Sequence, residues 1–145
     1  DPVSVVCVGK SVEELLANPS NPEWRNYSIE FCGGTHLKKL GEAQKAVIVS
    51  EDALMKGVRR MVVLTRDAAA KSIAAGDELV SEFKQLVAQP PTDASLKTLS
   101  VLNKRVGDSS IPLTMKNTLR DDIDAAIKTF NAAIKAQSAS LKTDA

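Results

Sequence analysis

Cys32-Gly33-Gly34-Thr35-His36 is the stretch in which a thiol and an imidazole stand close together, and His36 is the only histidine of the chain. Cys and His are both good zinc ligands, and zinc favours them in tetrahedral sites. The two glycines permit backbone angles closed to other residues, so both side chains can turn toward one ion. A catalytic zinc, however, needs about three protein ligands and one open position. No second histidine is present to complete that set, and the spacing of Cys7, Glu30 and Glu42 singles none of them out. By donor count Cys32 and His36 make half a site. The plain alternative is a turn with a buried thiol and an exposed imidazole.

Short strands must carry this block. Val3 to Val8, ended by Gly9, is β-branched and short, and Ser28-Ile29-Glu30-Phe31 is extended and runs straight into Cys32. Between them Ser11 and Glu14 have capping-box spacing ahead of a helix that must be short. Asn18-Pro19-Ser20-Asn21-Pro22 is dense in turn formers, and Glu23 to Tyr27 reads as a surface loop. Ala46 to Val49 and Val58 to Leu64 read as two further strands, with Glu51 to Gly57 between them as a turn or short helix. Such a small antiparallel sheet would bury its faces poorly alone.

Near Thr65 the pattern changes to helical spacing. Ile73, Leu79, Val80, Phe83, Leu86 and Val87 form one apolar stripe over about 67–88, and Gln89-Pro90-Pro91 stops the helix. Leu96, Leu99, Leu102 and Val106 mark a shorter helix with Thr92 or Asp93 as its N-cap. Gly107 to Ser110 reads as a turn. Pro112 suits the first turn of a third helix striped by Leu119, Ile123, Ala126, Ile127, Phe130 and Ile134, with Ser138 to Ala145 expected to fray. The fold class expected is therefore α+β, a small antiparallel sheet in 1–66 followed in 67–145 by an antiparallel hairpin of two long helices with a short one between.

Composition agrees with this division and removes several functions. Apolar residues make up 43% of the 145 residues but aromatic residues only 3%, so the core must be aliphatic, which favours helices over an aromatic-rich sandwich. Nineteen Lys and Arg against 18 Asp and Glu leave a net charge of +1, so any nucleic-acid contact must be local. No apolar run approaches the roughly 20 residues that span a bilayer, and Asp1-Pro2 lacks a signal-peptide start. The chain reads as soluble and cytoplasmic with no membrane partner. Two widely spaced cysteines make no disulfide framework. The lack of an initial Met hints at a piece of something longer.

Ser28-Ile29-Glu30-Phe31-Cys32-Gly33-Gly34-Thr35-His36-Leu37, followed by Gly57-Val58-Arg59-Arg60, closely resembles the signature of the editing domain of alanyl-tRNA synthetases. Val12 to Leu16 and the loop Asn18 to Pro22 are similar to the cytosolic eukaryotic form. The helical tail with Ser110-Ile111-Pro112 is similar to the segment that joins this domain to the C-terminal domain. One departure stands at the end of the last strand, where the family pattern has Gly after Val-Thr and this chain has Leu64-Thr65-Arg66.

That resemblance implies a fragment of an alanine-tRNA ligase whose site hydrolyses the ester of serine or glycine wrongly attached to alanine tRNA. It implies zinc held by Cys32 and His36 together with a His-x-x-x-His pair that would lie in the upstream part of the parent, before residue 1. The metal either lowers the pKa of a water or fixes the substrate, and no catalytic group is assigned. Gly33 and Gly34 would let the aminoacyl ribose approach and Thr35 would donate a hydrogen bond, with a purely conformational role as the alternative. Glu30 would support a ligand or be a solvated strand-edge carboxylate. Arg59 and Arg60 point to opposite faces of their strand, to contact tRNA or to pair with Glu51 or Asp52. Trp24 and Tyr27 would pack in their loop or stack on RNA. ATP and magnesium would serve only a distant aminoacylation site of the parent. Other readings are a helical linker or oligomerisation module, a freestanding editing protein, and the related editing domain of threonyl-tRNA synthetase.

Overall fold

The computed structural model describes residues 3–143, with side chains through residue 139, in two compact units, Asp1–Lys38 and Lys39–Ala145. In the first unit β1 (Ser4–Val8) pairs antiparallel with β2 (Ser28–Cys32). The register sets Val5 opposite Phe31 and Cys7 opposite Ile29, and in the alternate positions Ser4 opposite Cys32 and Val6 opposite Glu30. Because successive side chains alternate across a ladder, one face carries Val5, Cys7, Ile29 and Phe31. The other carries Ser4, Val6, Glu30 and Cys32. Phe31 is 80% exposed, so the ladder does bury its apolar face poorly.

Between the strands, α1 (Val12–Ala17) is short and begins with the expected capping box. Ser11 Oγ accepts from the Glu14 N–H at 3.2 Å, and the Glu14 carboxylate accepts from the Ser11 N–H at 2.9 Å. The Lys10 ammonium donates to the same carboxylate at 3.2 Å. The Ser11 amide first and Lys10 second hold Glu14 below the usual carboxylate range, and the bond to Glu14 raises Lys10 above the usual lysine range. A depressed carboxylate contributes stability that is present above its unfolded pKa and lost as pH falls through the folded value. Acidification below the ordinary Glu range is therefore expected to release the α1 cap. The Ser11 amide resonance should follow that titration, and Glu14→Gln should abolish it.

The segment expected as a loop at Glu23 to Tyr27 is instead a 3₁₀ turn over Pro22–Asn26. Asn21 caps it, Pro22 supplies a fixed φ at its first position, and Trp24 Nε1 donates to the Asn18 carbonyl at 2.7 Å. The Trp24 and Tyr27 rings meet edge to face with centroids 6.1 Å apart, so both aromatics pack within the unit.

In the second unit β3 (Ala46–Met55) and β4 (Val58–Thr65) form a hairpin. The turn or short helix expected at Glu51 to Gly57 is corrected: β3 continues to Met55, and the chain reverses at Lys56 and Gly57. Gly57 has φ +79°, the left-handed conformation that glycine adopts without a Cβ penalty. Ser50 to Ala53 lack hydrophobic alternation because both faces of the hairpin meet solvent there, and Met61 is 59% exposed.

Three helices supply the core: α2 (Arg66–Val87), α3 (Asp93–Asp108) and α4 (Leu113–Thr143). Leu79, Leu99, Leu102, Val106, Ile111, Leu119, Ile123 and Phe130 form one buried cluster, with Val80, Phe83, Leu96 and Ile127 packed around it. Except for Ile111, which lies in the connector before α4, these residues belong to the stripes read from the sequence; Ile73 and Ile134 of those stripes lie outside the cluster. Thr92 is the N-cap of α3, accepting from Ser95 N–H. The turn expected at Gly107 is displaced: Gly107 and Asp108 are helical, and Ser109 ends α3 by donating from its N–H to the Val106 carbonyl. At Gly76 a Cβ would come 2.9 Å from the Met115 methyl, which marks the close approach of α2 and α4. Residue 143 is still helical, so α4 runs through most of the stretch expected to fray, and 144–145 lie outside the described residues. The class is α+β, with the antiparallel pairing divided between two ladders.

Candidate functional site

Cys32 is the last residue of β2 and is half-buried. Its Sγ accepts from the Gly34 N–H at 3.4 Å, so the chain turns back over the thiol directly after the strand. The glycines do not achieve this through left-handed angles, since the positive-φ glycines among the described residues are Gly9 and Gly57. A Cβ at Gly33 would meet nothing within 4 Å, and one at Gly34 would lie 3.5 Å from Cys32 Sγ, an ordinary contact. What the pair provides is bare, open backbone beside the thiol. Thr35 and His36 follow in an exposed segment without regular structure.

Ladder register sorts the additional donors. Glu30 lies two residues before Cys32 and shares its face, whereas Cys7 lies on the opposite face. Glu42 belongs to the second unit. Among the described residues no group of three or more His, Cys, Asp and Glu side chains could hold one ion. A thiolate and an imidazole suit two positions of a zinc site; they do not by themselves fit a complete one.

In β4, Arg59 Nε pairs with Glu51 Oε1 at 2.9 Å across the ladder, with both side chains substantially exposed. Arg60 faces the other way, opposite Asp52, and among the described residues makes no ion pair. Sequence reasoning missed the role of Arg66, whose Nε donates to the Glu42 carbonyl at 2.7 Å. Its one sequence signal was the departure at Leu64-Thr65-Arg66 from the pattern that the resemblance implies.

Residues 3–62, which hold β1 to β3, the first part of β4 and the Cys32–His36 block, match the family described as the threonyl and alanyl tRNA synthetase second additional domain. The mitochondrial alanine–tRNA ligase of Saccharomyces cerevisiae is 42% identical over 120 residues, covering 83% of this chain and 12% of that protein. The cytoplasmic alanine–tRNA ligase of Dictyostelium discoideum is 46% identical over 103 residues, covering 71% and 11%, and that of Caenorhabditis elegans 35% identical over 152 residues, covering 97% and 16%. The chain belongs to the alanyl-tRNA synthetase family, and it spans between 11% and 16% of the length of these relatives. No solved structure matches it at a significant level.

Proposed function

We propose that the Cys32–His36 block is part of a site that edits alanine tRNA, hydrolysing the ester to wrongly attached serine or glycine. The observation that carries this reading is the bare Gly33-Gly34 backbone beside the Cys32 thiol. These glycines meet no packing demand and adopt no left-handed φ, which supports close approach of a ligand as their use. In this reading Cys32 as thiolate and His36 as neutral imidazole are two ligands of a zinc whose others come from elsewhere in the full-length protein. Zinc, when bound there, supplies positive charge that polarises the ester or orients the substrate. Gly33 and Gly34 admit the aminoacyl ribose, and the Thr35 hydroxyl donates a hydrogen bond to it. Glu30, on the Cys32 face, orients a ligand. Arg60 is free to meet tRNA phosphate, and Arg59 takes the same role only after giving up Glu51. The helices α2 to α4 link the site to the following parts of the protein.

ATP and magnesium belong, in this reading, to an aminoacylation site elsewhere. No helix among the described residues is long and apolar enough to cross a membrane. The cytoplasm is the proposed location, although the relatives include a mitochondrial enzyme as well as cytoplasmic ones. The test is selectivity. The full-length protein should hydrolyse seryl-tRNA(Ala) at least about 100-fold faster than alanyl-tRNA(Ala), because a site built to bond a hydroxyl rejects the analogue that lacks it. Equal rates for the two esters would contradict the reading.

A further inference from the structure

The bond from the Gly34 N–H to Cys32 Sγ, at 3.4 Å, spans two residues. Sulfur is a weak acceptor, yet the arrangement is that of an Asx-turn, in which a side-chain acceptor takes the backbone N–H two residues on. Cys32 stands where Asn or Asp stands in such a turn. The bond closes where β2 ends, so it starts from backbone that the pairing with β1 already fixes. All of these atoms lie within the first unit.

Rotation about the Cα–Cβ bond of Cys32 would carry Sγ away from the Gly34 amide, so the bond selects one of the staggered positions. It also occupies one side of the sulfur and leaves the rest to an incoming ion. An added Cβ at Gly34 would make only an ordinary contact with Sγ, at 3.5 Å. What bears on the sulfur from position 34 is therefore the N–H, which every residue except proline supplies. A donor atom oriented in advance spares a ligand the rotamer entropy of ordering it. Groups that orient metal ligands account for roughly 10–100-fold in metal affinity.

We propose that Gly34 is a positioning residue: through its N–H it holds the Cys32 thiol in one orientation before any ligand arrives. The orientation is a property of the first unit alone; its use in holding zinc rests on the editing reading.

The first arm of the test is solution NMR on the 145-residue chain. Scalar couplings about the Cα–Cβ bond of Cys32 should report a single rotamer in the wild type and in Gly34→Ala, and rotamer averaging in Gly34→Pro. Cys32→Ala removes the bond from its other end and should speed exchange of the Gly34 amide about threefold, the low end of what one hydrogen bond contributes. Because Cys32→Ala leaves the backbone untouched, that exchange rate decides the matter even if proline loosens the end of β2. A single Cys32 rotamer in Gly34→Pro, or unchanged Gly34 exchange in Cys32→Ala, would overturn the proposal. The second arm is chelator competition for zinc on the full-length protein. Gly34→Pro should bind zinc about tenfold more weakly than the wild type, and Gly34→Ala should recover most of that loss. Wild-type zinc affinity in Gly34→Pro would refute the part played by Gly34 in the site. Zinc binding that is the same in Cys32→Ala and wild type would instead defeat the metal-site reading, with the rotamer result still standing.

Discussion

Cys32→Ala in the full-length protein should weaken zinc binding by about 100-fold or more, and His36→Ala by a similar factor. Structural zinc sites yield about 10–16 kcal/mol from four ligands near neutral pH, or roughly 3 kcal/mol for each ligand, which is about two decades in affinity. On the same arithmetic the two donors of this chain by themselves should hold zinc with an affinity no better than on the order of 0.1 mM. Competition against a chromophoric chelator measures both quantities. Cys32 is half-buried at the end of a strand, and Cys32→Ala leaves the β1–β2 pairing of backbone groups intact, so loss of metal need not follow from loss of fold. Unaltered zinc content in both variants would remove these residues from the metal site. Tight, stoichiometric zinc on the 145-residue chain would mean that a third donor lies within it.

Leu99→Ala should be the most damaging conservative change to the helical part, at a cost of about 3 kcal/mol in unfolding free energy. Leu99 has no exposed surface and lies in the same buried cluster as Leu102, Val106 and Ile123, so truncation leaves a cavity among side chains fixed by three helices. Val101, two residues later, is 59% exposed, and Val101→Ala should change stability by no more than about 0.5 kcal/mol. Urea titration of the two variants, read by helical circular dichroism, tests the packing directly. Equal effects would mean that the α3 stripe does not face α2 and α4 as described.

The helices were legible because burial imposes a 3.6-residue period on apolar residues, and every one of Leu99, Leu102, Val106, Leu119, Ile123 and Phe130 is buried where that period places it. The far half of β3 was not legible. Ser50 to Ala53 pair with Arg59 to Val62 through backbone bonds and are supported by the Arg59–Glu51 ion pair, and neither interaction leaves a hydrophobic signature. The end of α3 was obscured by Gly107, a residue that breaks many helices but here remains within one.

At the candidate site the donor types and their spacing were readable, as was the deficit of ligands. The distribution of donors between faces was not, since it depends on the pairing register: Cys7 and Cys32 look equivalent in composition but lie on opposite sides of the ladder. The glycines suggested unusual backbone angles; instead neither has a left-handed φ, a Cβ at Gly33 would meet open space, and one at Gly34 would make an ordinary contact with Cys32 Sγ. Arg66 was visible only as a departure from a pattern. Its φ of +52° is an angle that glycine takes without a Cβ penalty, and its Nε donates to the Glu42 carbonyl.

The proposed role of Cys32 and His36 is in a site that hydrolyses the aminoacyl ester of mischarged alanine tRNA. The most direct measurement is the initial rate of seryl-tRNA(Ala) hydrolysis by the full-length protein beside its Cys32→Ala variant, with zinc present. The wild type should hydrolyse this ester and the variant should lose about 100-fold or more of that rate, in keeping with removal of a metal ligand. Hydrolysis by the variant at the wild-type rate would contradict it.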